Sequence, residues 1–388
     1  MDFSFTADQQ NIRDAVLKHC SQFSDDYWLE RDREGVFPLE FYKSMVEGGW
    51  LGIAMPTAFG GSGLGITEAA VMMQAVAESG AGMSGASSIH LPVFGLQPVN
   101  LFGTEAQKER MLPPVISGDE KVCFAVTEPN AGLNTTELKT RAEKREGGYL
   151  VNGEKIWIST AQVATKMLLL ARTTPLDKVK RKTEGLSLFY TNLDRSKIEV
   201  RLIHKMGRHA VDSNMLFIQD LWIPEEDRIG NEGEGFRIIL HGLNPERILI
   251  GAEAVGIGRV AIARAARYAR ERIVFNRPIG MNQGIQHPLA KCWAQLEAAN
   301  LMVMKAATLF DKGVDCGVEA NAGKYLAGEF GFEACHTAML TLGGMGYAQE
   351  YHVERYLREV LIPRTAPVSP HMILNFLAEK VLELPKSY

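Results

Sequence analysis

One carboxylate and one arginine stand together in the otherwise small and apolar run Leu243-Asn244-Pro245-Glu246-Arg247-Ile248-Leu249. The stretch that follows, residues 251–258, is too poor in polar groups to form a solvated helix face. We therefore expect Glu246 to point into a largely buried site. Burial disfavours the charged form of a carboxylate, raises its pKa toward neutrality and makes it a better proton acceptor. Glu246 is the candidate general base.

Glu246 also has a structural interpretation. A Glu-Arg dipeptide on a helix commonly forms an ion pair, here between Glu246 and Arg247 or with a residue one turn away. Glu253 lies seven residues further on and could share the face of Glu246, which makes it the weaker candidate for the base. The dipeptide by itself is compatible with both roles.

The composition favours small-molecule chemistry. The chain has 388 residues, enough for two or three domains, and its hydrophobic (46%) and charged (23%) fractions are ordinary for a globular protein. The net charge of -4 argues against a protein that coats nucleic acid or an anionic membrane. Seven arginines between 247 and 277 are interrupted by Glu253 and Glu271 without an aromatic platform, so no nucleic-acid partner is expected.

The five cysteines are odd in number, scattered and never in a Cys-x-x-Cys pair, which predicts a reduced protein without disulfides or a zinc knuckle. No metal site is expected. The N-terminus lacks the basic start and apolar run of a secretory signal and the Arg-rich character of a transit peptide. No apolar segment reaches membrane-spanning length, so we expect a cytoplasmic protein without membrane insertion.

The elements that position Glu246 follow a helical, then β, then helical order, which predicts domains at 1–120, 121–232 and 233–388. Thr6-x-x-Gln9 is a capping box, and further helices are expected near 38–48, 67–80 and 104–117. Closely spaced strands without helices between them predict an antiparallel sheet or small barrel, with a hairpin turn at Asn152-Gly153. Helices are expected again at 285–312, 318–342 and 370–382, the last with Ser369 at its N-cap.

Two signatures identify a resemblance. Phe124-Ala125-Val126-Thr127-Glu128-Pro129-Asn130-Ala131-Gly132 resembles the first signature of the acyl-CoA dehydrogenases, and Gly343-Gly344-Met345-Gly346-Tyr347 with Glu354-Arg355 resembles the second. Further matches are the run from Asn152 to Ser159, Met206-Gly207, and Arg270-Glu271-Arg272 leading to Phe275. The matches are ordered along essentially the whole chain. The resemblance implies that family's fold: an all-α N-terminal domain, an antiparallel β middle domain and a C-terminal domain of the four-helix-bundle type.

The resemblance also implies an FAD-dependent enzyme that removes hydrogen from the α and β carbons of an acyl-CoA thioester. By similarity, the residues near the flavin are Phe124, Val126, Thr127, Gly132, Trp157, Ile158 and Ser159. The family builds each flavin site across a dimer interface, which assigns Arg272, Phe275, Gln283, Gly343 and Gly344 to the neighbouring subunit. A homo-oligomer follows, typically a dimer of dimers, and an electron-transferring flavoprotein is the expected electron acceptor.

The chain departs from the family at the usual position of the base. Most members carry a C-terminal Tyr-Glu-Gly-Thr motif, whereas this chain has Ala366-Pro367-Val368-Ser369, and proline cannot accept a proton or donate an N–H. Isovaleryl-CoA and long-chain acyl-CoA dehydrogenases instead take the base from a Leu-Asp-x-Glu-Arg context. Leu243 to Arg247 is similar to that context, which assigns the base to Glu246 and a supporting, substrate-side role to Arg247.

The site also departs from the family at Leu133-Asn134, which replaces Ser-Asp and leaves Leu133 as a weak candidate for substrate contact. With Pro367 in place of the motif's donor, the thioester oxygen must take its second hydrogen bond from the Val368 N–H, from a shifted register or from nothing. Two other functions are compatible with the fold. One is an acyl-CoA oxidase, although its usual C-terminal extension is not seen here. The other is a non-catalytic protein that binds flavin or acyl-CoA, against which the retained Glu246-Arg247 pair counts.

Overall fold

The computed structural model describes residues 4–387, and the first part of this chain is helical. Its first helix begins with the predicted capping box, in which the Gln9 N–H donates to Thr6 Oγ1 (3.2 Å) and the Thr6 N–H donates to Gln9 Oε1 (3.1 Å). A π-helical turn at Ala77–Ala81 joins the fourth helix to the fifth. The helices are α1 (Ala7–Cys20), α2 (Asp25–Glu34), α3 (Leu39–Glu47), α4 (Ile66–Val76), α5 (Gly82–Phe94), α6 (Gln97–Phe102) and α7 (Glu105–Ile116).

The middle part of the chain forms an eight-stranded sheet. Its strands are β1 (Val122–Ala125), β2 (Arg141–Arg145), β3 (Gly148–Ser159), β4 (Lys166–Arg172), β5 (Leu186–Asn192), β6 (Ile198–Leu202), β7 (Ser213–Pro224) and β8 (Arg228–Ile229). They lie in the order β6-β7-β3-β2-β4-β5-β8, with β1 paired to β4. Most pairs are antiparallel as predicted, but β1 and β2 both run parallel to β4. The sheet is therefore mixed, because the β2–β3 hairpin intervenes between β1 and β4 and lets them run in the same direction.

The predicted hairpin at Asn152-Gly153 is wrong. These residues lie inside the continuous strand β3, where the pairing with β7 shifts register between Val151 and Gly153. The Asn152 side chain bonds across to β7, donating to Asp220 Oδ1 (3.1 Å) and accepting from the Asp220 N–H (2.9 Å). The turn is instead at residues 146–147, before β3, where Gly147 has φ +79°. An Asn-Gly pair suits a β-bulge as well as a turn, which is why the sequence misled.

The last part of the chain is helical again, and most of it lies in three long helices that pack on one another. Ser369 caps the final helix as predicted, accepting from the Met372 N–H (3.4 Å). A four-helix bundle stays a prediction. The elements are α8 (Gly235–Glu271), the short strands β9 (Ile273–Val274) and β10 (Arg277–Pro278), α9 (Gln283–Asp311), α10 (Gly317–Leu342), α11 (Val353–Glu359), α12 (Leu361–Thr365) and α13 (Pro370–Lys380).

Helix α8 is at the centre of the packing, with α4, α5, α9 and α10 against it. One hydrophobic core takes Met73 from α4, Ala252 from α8, Val303 from α9 and Ala327 from α10, so both helical parts of the chain contribute to it. A residue on the inner face of α8 is therefore surrounded by helices from the two ends of the sequence. The predicted domain boundaries stay predictions.

Two further sequence expectations concern the cysteines and membrane-spanning helices. All five cysteines are buried and free. Among residues 4–387 no helix combines the length and the apolar character needed to cross a membrane.

Candidate active site

Helix α8 carries Glu246 in the packed region between the two helical parts. The Glu246 Oε2 atom is buried and has no hydrogen-bond partner among the described residues. Arg247 turns to its own helix, where its Nη1 donates to Asn244 Oδ1 (2.9 Å). No ion pair joins Glu246 to Arg247 or to another described residue, so the structural interpretation of this dipeptide finds no support.

The surroundings of Glu246 fit a proton acceptor. Burial raises the pKa of Glu246 to about 7, and the charges of His90, Arg247 and Lys324 offset part of the rise while Glu253 adds to it. A carboxyl group that titrates near neutrality can hold or release a proton at small cost. We call Glu246, Arg247, His90, Glu253 and Lys324 the base cluster.

Glu253 lies two turns beyond Glu246 on α8 and is fully buried. Its Oε1 accepts from Nδ1 of His90 on α5 at 2.5 Å, while its Oε2 has no partner among the described residues. Burial lowers the pKa of His90, but the charge and hydrogen bond of Glu253 and the charge of Glu246 together raise it, and the net shift is upward. Glu253 is thus held by a histidine, which leaves Glu246 as the free carboxylate. Sequence reasoning missed His90, because the contact joins residues 163 positions apart and nothing local signals it.

Lys324 connects the base cluster to the segment that replaces the family's C-terminal motif. Its side chain on α10 is 1% exposed, and its Nζ donates to the backbone oxygens of Val368 (2.6 Å) and Arg364 (3.4 Å). Burial lowers the pKa of Lys324 to about 8, with Arg247 adding to the fall and Glu246 opposing it. Lys324 therefore fixes residues 364–368 against α10, the helix that packs on α8 and its Glu246. Lys324 was also missed from the sequence.

The first signature continues from β1 into a loop that the buried ion pair of Lys155 and Glu128 holds in place. Lys155, fully buried, donates to the Val126 oxygen (2.9 Å), Glu128 Oε1 (2.9 Å) and the Leu170 oxygen (2.8 Å). Glu128 also accepts from the backbone N–H groups of Lys139 (2.6 Å) and Thr140 (2.9 Å). Burial lowers the pKa of Lys155 to about 8 even though Glu128 opposes the fall. The ion pair of Lys155 and Glu128 thus fixes the backbone around Val126 and positions the loop.

The predicted residues within this loop have different surroundings. Phe124 packs with Phe94 of α5 at a ring separation of 5.7 Å, and the Thr127 oxygen accepts from the Ile156 N–H (2.9 Å). Gly132 is exposed, and a Cβ added to it would meet no atom within 4 Å. Leu133 is exposed beside it. At Gly132 the loop thus exposes its backbone next to a space that no described residue fills.

Trp157 lies on a β-bulge. Between Lys155 and Ile158 strand β3 has one residue more than β7 opposite, and Trp157 there adopts φ +62°. Its ring is 56% exposed, whereas Ile158 is buried in the sheet core. The bulge turns the indole outward, which ordinary sheet packing of Trp157 does not explain. An outward aromatic ring next to the hydroxyl of Ser159 fits a bound flavin ring, and Ile158 can contribute only its backbone.

Two exposed segments carry the residues that the resemblance assigns to the neighbouring subunit. Arg272, Phe275 and Gln283 lie in the first segment, 272–283, and Gly343 and Gly344 in the second, 340–347. Phe275 is 93% exposed, and a Cβ added at either glycine would meet no atom within 4 Å. The segments expose further large apolar residues, namely Ile273, Met281, Leu340, Met345 and Tyr347. Apolar groups concentrated in this way are typical of interaction surfaces.

Arg208 is a third residue that sequence reasoning missed. It is 9% exposed and lies in the loop between β6 and β7. Its Nη2 donates to Ser159 Oγ (2.9 Å) and Ser213 Oγ (3.3 Å), and its Nη1 to Ser87 Oγ (3.2 Å). The resemblance covers the neighbouring Met206-Gly207 pair and does not extend to Arg208.

Three family profiles match the chain in succession: "Acyl-CoA dehydrogenase, N-terminal domain" over residues 6–119, "Acyl-CoA dehydrogenase, middle domain" over 123–221 and "Acyl-CoA dehydrogenase, C-terminal domain" over 233–380. Acyl-CoA dehydrogenase FadE12 of Mycobacterium tuberculosis is 34% identical over 396 residues, which cover 100% of both chains.

Two solved structures share the fold over nearly the whole chain. Butyryl-CoA dehydrogenase from Megasphaera elsdenii has a TM-score of 0.93 and 29% identity, with 98% of this chain and 100% of that chain covered. A chain in a structure described as the electron transferring flavoprotein of Acidaminococcus fermentans has a TM-score of 0.94 and 29% identity, with 99% and 100% covered.

Proposed function

The chain belongs to the acyl-CoA dehydrogenase family, and on this premise we propose that it converts an acyl-CoA thioester to the 2-enoyl-CoA with Glu246 as the base. It is an oxidoreductase that uses FAD. When bound, FAD supplies the acceptor for the hydride that leaves the β carbon. The α proton goes to Glu246, so that the two hydrogens leave by separate routes and the double bond forms between the two carbons.

The observation that carries this proposal is the buried Oε2 of Glu246, which has no hydrogen-bond partner in the described part of the chain. A buried carboxylate without hydrogen bonds is costly to the fold, and such strain is typical of functional sites. Its pKa of about 7 also suits a base that must take a weakly acidic proton and later give it up. The bond of Glu253 to His90 supports the choice between the two carboxylates of α8.

The thioester oxygen needs donors that stabilise the charge it gains as the α proton leaves. Pro367 has no N–H, but the Val368 N–H has no acceptor among the described residues, and Lys324 fixes the Val368 carbonyl. We assign the Val368 N–H as the donor that the chain itself supplies. Arg247 then positions Glu246 or the pocket wall, and Leu133 is a weaker candidate for substrate contact.

For the flavin we assign Phe124, Val126, Thr127, Gly132, Trp157, Ile158 and Ser159 from one subunit. Arg272, Phe275, Gln283, Gly343 and Gly344 come from its neighbour in a dimer of dimers. The exposure of the two segments supports this division, because one chain alone leaves their apolar groups uncovered.

The electron acceptor and the branch of the family belong to the same proposal. We assign the electrons to an electron-transferring flavoprotein, supported by the fold shared with the Acidaminococcus fermentans chain. We assign the chain to the branch that resembles the isovaleryl-CoA and long-chain enzymes in base position, supported by the position of Glu246 on α8.

The test is an anaerobic titration of the purified holoenzyme with straight and branched acyl-CoAs, following the flavin absorbance, for wild type and Glu246→Gln. We expect bleaching in wild type and only a ligand-induced spectral shift in the variant. Bleaching of the variant at the wild-type rate would show that Glu246 is structural. A wild-type protein that holds flavin but is bleached by none of the acyl-CoAs would overturn the dehydrogenase proposal.

A further inference from the structure

Arg208 is a buried cation without a direct anionic partner. All three of its described hydrogen bonds go to serine hydroxyls, those of Ser87, Ser159 and Ser213, and its Nε is buried with no partner among the described residues. No carboxylate of the described chain forms an ion pair with it. A buried charge is normally paired, because desolvation of a lone charge is costly. The Arg208 charge is therefore better explained by a functional role than by stabilisation of the fold.

The backbone at Arg208 adds to this cost. Arg208 has φ +57°, a left-handed conformation that residues other than glycine adopt rarely. Burial lowers the pKa of the guanidinium, and the more distant carboxylates of Glu253, Asp212 and Glu359 oppose the fall. An arginine stays protonated in such surroundings. The protein therefore holds a permanent positive charge in its interior. Only the Ser159 hydroxyl separates this charge from a group that hydrogen-bonds to Ser159.

The contact with Arg208 limits the hydrogen bonds that the Ser159 hydroxyl can still make. A guanidinium has only donors, so Ser159 Oγ must accept from Arg208 Nη2 at 2.9 Å. The hydroxyl proton of Ser159 is left to donate, and no described residue accepts it. The bond from Arg208 thus occupies one of the two lone pairs of Ser159 Oγ and leaves the hydroxyl proton available to donate to a group bound beside Trp157.

From these contacts we infer that Arg208 is a positioning residue of the flavin site, which fixes Ser159 as a hydrogen-bond donor to the flavin and favours the charge that the flavin gains on reduction. The inference rests on the proposed placement of the flavin at Trp157 and Ser159. Reduction of a flavin by two electrons and one proton leaves the ring with one negative charge. A fixed positive charge in a low-dielectric site stabilises that form over the neutral oxidised form.

The test is the midpoint potential of the protein-bound flavin, measured by dithionite titration against a reference dye, in wild type, Arg208→Gln and Arg208→Lys. We expect a more negative potential in R208Q, because the positive charge is gone. R208K keeps the charge and should restore most of the wild-type potential. A folded, flavin-loaded R208Q with the wild-type potential would overturn the inference.

Arg172 provides the matched control. It is also a buried arginine of the eight-stranded sheet, 6% exposed, at the end of β4. It does not contact Ser159 but donates to backbone oxygens, among them those of Thr136 (2.7 Å) and Glu184 (3.1 Å). We expect Arg172→Gln to leave the potential unchanged. An equal shift in R172Q and R208Q would show a general effect of losing a buried arginine and overturn the inference.

If R208Q does not fold, a double-mutant cycle of R208K with Ser159→Ala decides the matter. We expect R208K to alter the flavin absorption spectrum when Ser159 is present and to leave it unaltered in the S159A background. An R208K effect that is the same in both backgrounds would contradict the role assigned to Ser159. Dithionite reduces the flavin without acyl-CoA, so failure of the inference is distinguishable from failure of the dehydrogenase proposal.

Discussion

The base cluster and the two exposed segments are opposite kinds of site. In the base cluster, three helices of one chain, α5, α8 and α10, enclose charged groups and leave single atoms such as Glu246 Oε2 without a partner among residues 4–387. In the exposed segments whole side chains lie uncovered, Phe275 being 93% exposed. The first is assembled by folding of the subunit, whereas the second needs a surface from outside the chain. Substitutions should therefore separate chemistry from assembly.

The largest effect is expected from Glu246→Gln, which removes the base and keeps the shape of the side chain. We expect kcat to fall by about 100- to 10,000-fold, the usual contribution of a general base, with flavin content unchanged. Steady-state kinetics with the best acyl-CoA of the panel would measure it. Glu271→Gln, at the exposed end of the same helix, is the control and should keep wild-type activity. A fall in E271Q as large as in E246Q would mean that any charge loss on α8 is harmful.

The same substitution should increase stability at alkaline pH. Folding raises the pKa of Glu246 from 4.5 to about 7, so the folded protein holds a proton on it that the unfolded chain has lost. The wild type therefore loses stability as pH rises from about 4.5 to 7, by about 3 kcal/mol at most. Gln is neutral throughout and avoids this loss. Melting temperatures of both proteins between pH 5 and 8 should diverge as pH rises; curves that stay parallel would show that Glu246 is not perturbed.

Sequence reasoning found the residues that belong to a local pattern. The burial of the Glu246 carboxylate was predicted from its apolar surroundings on one helix, and the capping residues Thr6 and Ser369 from short-range spacing. The structure shows the buried Oε2 and both caps, while the role of Glu246 as the base stays a prediction. Patterns of this kind depend on neighbours within about one helical turn.

The residues it missed depend on long-range contacts. His90 meets Glu253 across 163 positions, Lys324 meets Val368 across 44, and Arg208 meets Ser87 across 121. Nothing near these residues in the sequence indicates the partner. The error at Asn152-Gly153 has the same origin, because the β7 strand some 65 residues further on decides whether that pair forms a turn or a bulge.

For the exposed segments, Phe275→Ser should weaken flavin retention and subunit association together. Phe275 is almost fully exposed, so its replacement removes few contacts within one chain. We expect about a 30-fold weaker FAD affinity, as for an interface hot spot of about 2 kcal/mol. Light scattering and flavin titration would measure the two effects. Val314→Ser, an exposed apolar residue outside both segments, is the control. Normal oligomers that hold flavin normally in F275S would contradict the assignment of Phe275 to the neighbouring site.

The smallest effect is expected from His90→Gln, which alters the base cluster without touching the base. The charge of His90 lowers the pKa of Glu246, and the groups that face His90 are Glu253 and Glu246 of α8 and Arg208, with the Phe94 ring 4.8 Å away. Without that charge the acidic limb of kcat/KM should move to higher pH by less than about one unit, which is under tenfold in rate, while the alkaline plateau stays unchanged.

Glu253→Gln should move the acidic limb less than H90Q does, because it removes the Glu253 charge that raises the pKa of Glu246 together with the carboxylate that favours the His90 cation. The exposed His287→Gln is the control and should keep the wild-type profile. An acidic limb that does not move in H90Q would show that His90 carries no charge beside Glu246, and a movement to lower pH would contradict the sign expected from the geometry. The presence or absence of the shift to higher pH thus tells whether the buried pair of His90 and Glu253 acts on the base as an ion pair or as a neutral hydrogen bond.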